Sequence, residues 1–285
     1  MSTQKPPMPE APAVAPGGSH SGYSSPIPVT RTHLGHALAS EWTKMKSVRS
    51  TVWTLGVFVL LVVGIGLLAA VAVGGAGELS GQNPLTFGFF GLLLGMMCVM
   101  TLGVLTTASE YGTGMIRTTM TACPSRGRVL AAKSIVFFVV AFVVTLATVS
   151  FVALLQTSLL KGHGARTPSG GEWLKATVGI SLYIALLGLL SLLVGSMIRH
   201  SAGAITIMIG AVLAPLVTAL FMNASSLEKV QQALLEYSIP SQMGVFYDNT
   251  LSHSGPSGWE PLWIMLGVTA AAFAGAYALL ESRDV

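Results

Sequence analysis

The chain has 285 residues, of which 52% are hydrophobic and 9% charged, with a mean hydropathy of +0.70. Soluble domains carry roughly 25% charged residues, so this composition excludes a water-soluble enzyme or binding domain and indicates an integral membrane protein. The net charge of +4 is expected from basic residues flanking spans, not from a nucleic-acid surface. At roughly 20 residues per span the length suits about six transmembrane helices in one bundle, with no room for a second folded domain. The two cysteines, Cys98 in an apolar run and Cys123 in a polar one, fall at different depths, which argues against a disulfide and offers no metal-ligand spacing.

Residues 1–30 hold seven of the 14 prolines and no apolar run, too little apolar surface to offset the entropy of ordering, so a disordered tail is expected. They also lack the basic start and apolar core of a signal peptide. Residues 33–50 place Leu34, Leu38, Trp42, Met45 and Val48 at intervals of three and four, one face of a helix. Lys44, Lys46 and Arg49 crowd its end, where they suit the helix C-terminus and lipid phosphates, and Trp42 suits the headgroup zone. The expected form is a helix lying on the membrane; the alternative is a straight extension of the first span.

The first span is expected at 52–73 and the second at 86–107, where Gly91 and Gly95 form a small-xxx-small pair that permits close packing within the bundle or at a dimer seam. The polar segment 109–133 follows, then spans at 134–157, 176–198 and 202–222, the last containing Pro215, which removes a backbone donor and is expected to bend the helix. Residues 225–237 read as an amphipathic helix with Leu227, Val230, Leu234 and Tyr237 on one face, broken at Pro240. Such a helix lies in the outer interface or dips into the bundle. The sixth span is expected at 261–280, anchored by Trp259 and Trp263.

With the N-terminus inside, eleven of the 15 Lys and Arg fall on the cytoplasmic side (Lys5, Arg31, Lys44, Lys46, Arg49, Arg117, Arg126, Arg128, Lys133, Arg199, Arg283) and four outside (Lys161, Arg166, Lys175, Lys229). The bias of basic residues therefore predicts both termini in the cytoplasm, and the expected location is the plasma membrane, as a multi-pass protein.

No phosphate loop, HExxH, GxSxG or cluster of His, Asp and Glu occurs, so no catalytic, cofactor-binding or metal residue is assigned and an enzyme acting alone is not expected. The expected spans carry no Asp, Glu, Lys or Arg between their ends. Ion-coupled transporters need such groups near the midplane, so the driving force is expected from outside the bundle. The segment 109–133 is where it could enter. Thr113 or Ser109 is placed to cap a short helix through Met115–Thr121, Gly112 and Gly114 permit a sharp turn, and the residue before Pro124 is disfavoured in a helix. The product is an elbow helix presenting Arg117 and its flanking threonines to a soluble partner.

Glu41-Trp42-Thr43-Lys44 with Ser47-Val48-Arg49-Ser50-Thr51 before the first span, and Glu110-Tyr111, Gly114, Arg117-Thr118-Thr119, Pro124, Arg126 and Lys133 in the elbow, resemble the permease subunits of type-2 ABC transporters in their actinobacterial form. In many relatives threonine follows the elbow glycine, whereas here Met115 follows Gly114 and Thr113 precedes it. The resemblance implies an all-α membrane protein over 31–285. It has six spans, an amphipathic interface helix (Trp42, Lys44, Lys46, Arg49), a cytoplasmic coupling helix between spans two and three, and an extracellular re-entrant segment before span six. It implies that Glu110, Tyr111, Gly114, Met115, Arg117 and Thr118 meet an ATP-binding subunit, which uses the ATP while this chain binds no cofactor itself. It further implies a second permease copy or paralogue, contact with lipid, and export powered by ATP. The alternative function is a non-transporting membrane anchor whose elbow recruits a cytosolic partner.

Overall fold

The computed structural model describes residues 33–282 apart from 76, 78, 80, 124, 223, 224 and 250–253; the expected tail at 1–30 lies outside them. Among the described residues the secondary structure is helical, with no strand. Six helical segments among these residues are long and apolar enough to cross a membrane: Arg49–Gly75, Pro84–Gly112, Arg126–His163, Gly170–Ile198, Ser201–Phe221 and Glu260–Ser282. A helix of this length pairs its interior backbone groups within itself and turns apolar side chains outward, which is what hydrocarbon demands.

The first helix, α1 (Leu34–Ser47), is separate from α2 (Arg49–Gly75), because Val48 between them is extended at φ −79°, ψ 113°. This excludes a straight extension of the span. The first turn of α3 (Gly88–Gly112) is preceded by a 3-10 turn at Pro84–Phe87, capped by the Asn83 side chain. The elbow contains α4 (Met115–Ala122), and α5 (Arg126–Leu160) follows. A short α6 (Gly170–Leu174) begins with a capping box between Ser169 and Glu172 and passes through a π-helical turn, Lys175–Gly179, into α7 (Ile180–Ile198). After a two-residue turn, α8 (Ser201–Phe221) runs as one α-helix with Pro215 inside it. Then come α9 (Glu228–Glu236), α10 (Ile239–Gly244) and α11 (Glu260–Ser282).

The centre of the bundle is α7 against α3, the most extensive contact between elements, with α2, α5 and α11 around them. Glycine makes this possible. A Cβ added at Gly103 would stand 2.3 Å from the Gly188 carbonyl oxygen, so the two backbones touch directly. Gly91 and Gly95 serve α2 in the same way: added Cβ atoms would lie 2.7 Å from Val62 O and 2.6 Å from Val62 Cγ2. The small-xxx-small pair therefore packs inside the bundle.

The segment before α11 divides its two expected behaviours between two pieces. The α9 helix stays outside, with Leu227, Val230 and Tyr237 exposed, and Gln231 Nε2 donates to Ala219 O near the end of α8 at 2.8 Å. The piece that dips inward is α10 with the turn Val245–Tyr247, where Pro240, Met243, Phe246 and Tyr247 are buried. Pro240 does not break a helix here but sits in the first turn of α10, where its missing N–H costs nothing, and Ser238 caps that turn by accepting from the Ser241 N–H at 3.3 Å.

Candidate functional site: a charged cluster behind the elbow helix

At the end of α3 the chain reverses within two residues. Gly114 at φ 72° supplies a left-handed conformation that an L side chain resists, and α4 starts on the next residue. Neither Thr113 nor Ser109 caps it. Their hydroxyls donate back along α3, Thr113 to Ser109 O and Ser109 to Leu105 O, since both residues lie where helical carbonyls are within reach. The helix ends at Cys123, which is extended at φ −136°, as expected of a residue before proline.

Two residues one turn apart, Ile116 and Met120, face the bundle, while Met115, Arg117, Thr118 and Thr121 are exposed. Gly112 and Gly114 are exposed beside them. Tyr111 is half-buried, its ring 5.0 Å from the Arg199 guanidinium carbon. Arg199 closes α7 at φ 59° and its N–H donates to Gly195 O, so a conformation costing about 1 kcal/mol is held where the cation meets the aromatic face. Arg126 Nη1 donates to Leu280 O at 2.7 Å, joining the start of α5 to the end of α11.

Behind α4 lies a cluster of four charges. Lys133 Nζ on α5 donates to Glu41 Oε2 on α1 and to Glu110 Oε1 on α3, each at 2.8 Å, and to Thr106 O at 3.3 Å. Lys44 Nζ donates to Glu41 Oε1 at 2.8 Å, Glu110 Oε1 at 3.1 Å and the Thr119 hydroxyl on α4 at 3.3 Å. Glu41, Glu110 and Lys133 are no more than 4% exposed. Two carboxylates and two ammoniums make the cluster formally neutral, the condition under which buried charge is tolerated. Burial raises the Glu41 pKa, but Lys133 and then Lys44 outweigh it and hold that carboxyl below its ordinary value. For Lys44 burial acts to lower the pKa, and the carboxylates of Glu41 and Glu110 outweigh it and raise the ammonium above its ordinary value. The cluster thus joins α1, α3, α4 and α5 through a single set of contacts.

The residues expected on the surface divide. Trp42 is 49% exposed with Lys46 Nζ 5.7 Å from its ring centroid, and Lys46 and Arg49 are exposed. Lys44 turns inward to the cluster. Glu110, expected to meet a partner, is buried with its carboxylate toward two lysines, because leaving those ammoniums unpaired would cost more than removing one acid from the surface. The apolar stripe of α1 splits as well: Leu38 and Met45 pack on the core, whereas Leu34, Trp42 and Val48 are exposed. Glu41 and Lys133 acquire roles that spacing alone did not assign. The available signal was the i, i+3 pairing of Glu41 with Lys44 on α1, together with acid and base at the facing ends of spans two and three. Among the described residues no three His, Cys, Asp or Glu side chains converge as metal ligands.

Six spans, a short helix crossing between the second and third, and a charged cluster behind it define a multi-pass helical membrane protein built around an elbow. The sequence model of a family described as "ABC-2 family transporter protein" matches residues 37–214, from α1 through most of α8. The chain belongs to that family and is an ABC transporter permease. Permeases of this family pair, in general, with an ATP-binding subunit. No curated protein matches the chain.

Proposed function

We propose that this chain is the membrane-spanning subunit of an ATP-driven exporter, whose separate cytosolic ATPase docks on α4. In this reading both termini and the elbow face the cytoplasm, and the membrane is the plasma membrane. A second copy or a paralogue completes the path, and nucleotide is bound and hydrolysed by the partner alone. The observation that carries the reading is the build of the elbow. An eight-residue helix presents Met115, Arg117 and Thr118 outward while its inner side is tied, through Thr119 and Lys44, to α1, α3 and α5. A push on the outer face is delivered to three long elements at once. Of the six residues proposed for ATPase contact, Met115, Arg117 and Thr118 make the contact, Gly114 shapes the turn, and Glu110 and Tyr111 hold the elbow from behind.

The test is co-purification with the candidate ATPase and ATP-dependent efflux after Arg117→Ala and Met115→Ala. A weakened complex and reduced efflux at unchanged permease abundance are expected. An undiminished complex with undiminished efflux would remove the docking role. Orientation is read separately by thiol labelling of Cys123 in intact cells, where modification by a membrane-impermeant reagent places the elbow outside and defeats the proposal.

A further inference from the structure

The acids of α1 and α3 nearest the elbow are withdrawn from the surface. Glu41 and Glu110 are buried with Lys44 and Lys133. The remaining acid among the described residues at this end of the bundle, Glu281 near the end of α11, is engaged by Tyr277. Arg117 on α4 is exposed, and among the described residues its guanidinium has no ion pair or hydrogen bond.

The hydroxyls beside it are one-sided. Thr118 donates to Met115 O and Thr121 to Arg117 O, each at 2.8 Å. Both hydrogens are spent on the helix itself, so each oxygen is left only to accept. Met115, 41% exposed, adds a flexible thioether chain of the kind that fills irregular apolar hollows. The outer side of α4 therefore offers a planar fork of N–H donors, two acceptors and one apolar knob, and it offers no negative charge. A guanidinium fork is matched by a carboxylate. Lipid phosphate would match it too, but α4 carries no aromatic residue, whereas α1 and α2 expose Trp42 and Trp53, the side chains of a membrane interface.

We propose that the surface receiving α4 is an acidic cleft on a cytosolic protein: one carboxylate grips Arg117, an apolar hollow takes Met115, and N–H donors meet the Thr118 and Thr121 oxygens. This rests on the reading that the ATPase docks on α4, and it names the chemistry of the ATPase's docking site. Eight residues rise about 12 Å along a helix, which sets the length of the cleft. Arg117 and Thr121 lie one turn apart on one line, with Met115, Thr118 and Ala122 on the next, all exposed. Because Glu41 and Glu110 are held by their lysines, neither competes for Arg117. Attraction between the elbow and the cleft acts before contact and is screened by salt.

The experiment measures binding of the purified full chain in nanodiscs to the candidate ATPase from about 50 to about 500 mM salt, a range over which exposed charges become screened. Affinity is expected to fall with salt. Arg117→Gln weakens the complex about tenfold at low salt, the loss of one charge-assisted contact, and flattens the salt response. Arg117→Glu binds more weakly still and gains affinity as salt rises, because like charges then face each other. Arg117→Lys keeps the salt response at about threefold weaker binding, since the charge remains and the fork is lost. The amine of that variant also lets a carbodiimide join it to a carboxylate through an amide. A crosslink to one acidic residue of the ATPase, absent from the wild type, identifies the gripping group. A complex weakened by Met115→Ala but indifferent to salt and to Arg117→Glu, with no new crosslink, keeps the docking and overturns the acidic cleft. A complex indifferent to Met115→Ala and Arg117→Glu alike removes the docking and the cleft with it. If Arg117→Gln leaves ATPase binding unchanged but reduces the phosphatidylglycerol retained in native mass spectrometry, Arg117 serves lipid phosphate and the proposal is likewise overturned.

Discussion

Replacing Lys133 by methionine keeps the volume of the side chain and removes the more deeply buried of the two charges that bind both acids of the cluster. At 2.8 Å from each carboxylate and an effective dielectric of about 20, each contact is worth about 6 kcal/mol before desolvation. Most of that is cancelled by the cost of burying the ions. After the substitution Glu41 and Glu110, both still buried, share only Lys44, and an uncompensated negative charge remains inside. The expected loss is about 3–5 kcal/mol, a large share of a typical stability of about 5–15 kcal/mol. Unfolding in mixed micelles followed by tryptophan fluorescence measures it. The decisive comparison is the double variant Lys133→Met with Glu41→Gln, which restores neutrality around Glu110 and Lys44. It should be more stable than the sum of the single losses by about 1–3 kcal/mol. A loss under about 1 kcal/mol for Lys133→Met, or strict additivity in the double variant, would show that these charges are not held as one neutral group.

Two further outcomes follow from the same structure. The Glu41 carboxyl is lowered from 4.5, so its contribution is complete above that value and is lost as pH falls through the depressed pKa. Lys44 is raised from 10.5, so its contribution is complete below 10.5 and is lost as pH rises through the elevated pKa. Hydrogen exchange of the α1 amides should therefore show constant docking from roughly pH 5 to pH 10 and release on stronger acidification; release near neutrality would contradict the pairing. Separately, Gly103→Ala should destabilise by about 1–3 kcal/mol, since the new Cβ meets backbone that cannot yield. Gly64→Ala, with nothing within 4 Å of the added atom, should stay within about 0.5 kcal/mol, and equal effects in a detergent melting assay would deny the direct contact of α3 with α7.

The elbow was legible because its residues are local. Gly114, the helix after it and the break before Pro124 depend on neighbours within a few positions. The behaviour of α1 was less legible. An apolar stripe at helical spacing groups Leu34, Leu38, Trp42, Met45 and Val48 on one face of a helix expected to lie on the membrane, but lipid and protein are both apolar, so hydrophobicity does not say which of these residues meet the bundle. The buried side is marked instead by Glu41, whose partner Lys133 is 92 positions away. The same ambiguity governs α9, where Val230 is exposed, Leu234 and Leu235 are half-buried, and Gln231 reaches back to α8.

Sequence alone determined that the chain has six helices able to span a membrane, because hydrocarbon admits an uncharged run of sufficient length and rejects a charged one, and both properties are read along the chain. Only the tertiary structure decided where the charges at the span ends go. Glu41, Lys44, Glu110 and Lys133 come from three separate helices, and each is stable inside only because the other three are there, a condition that no single stretch of sequence can express.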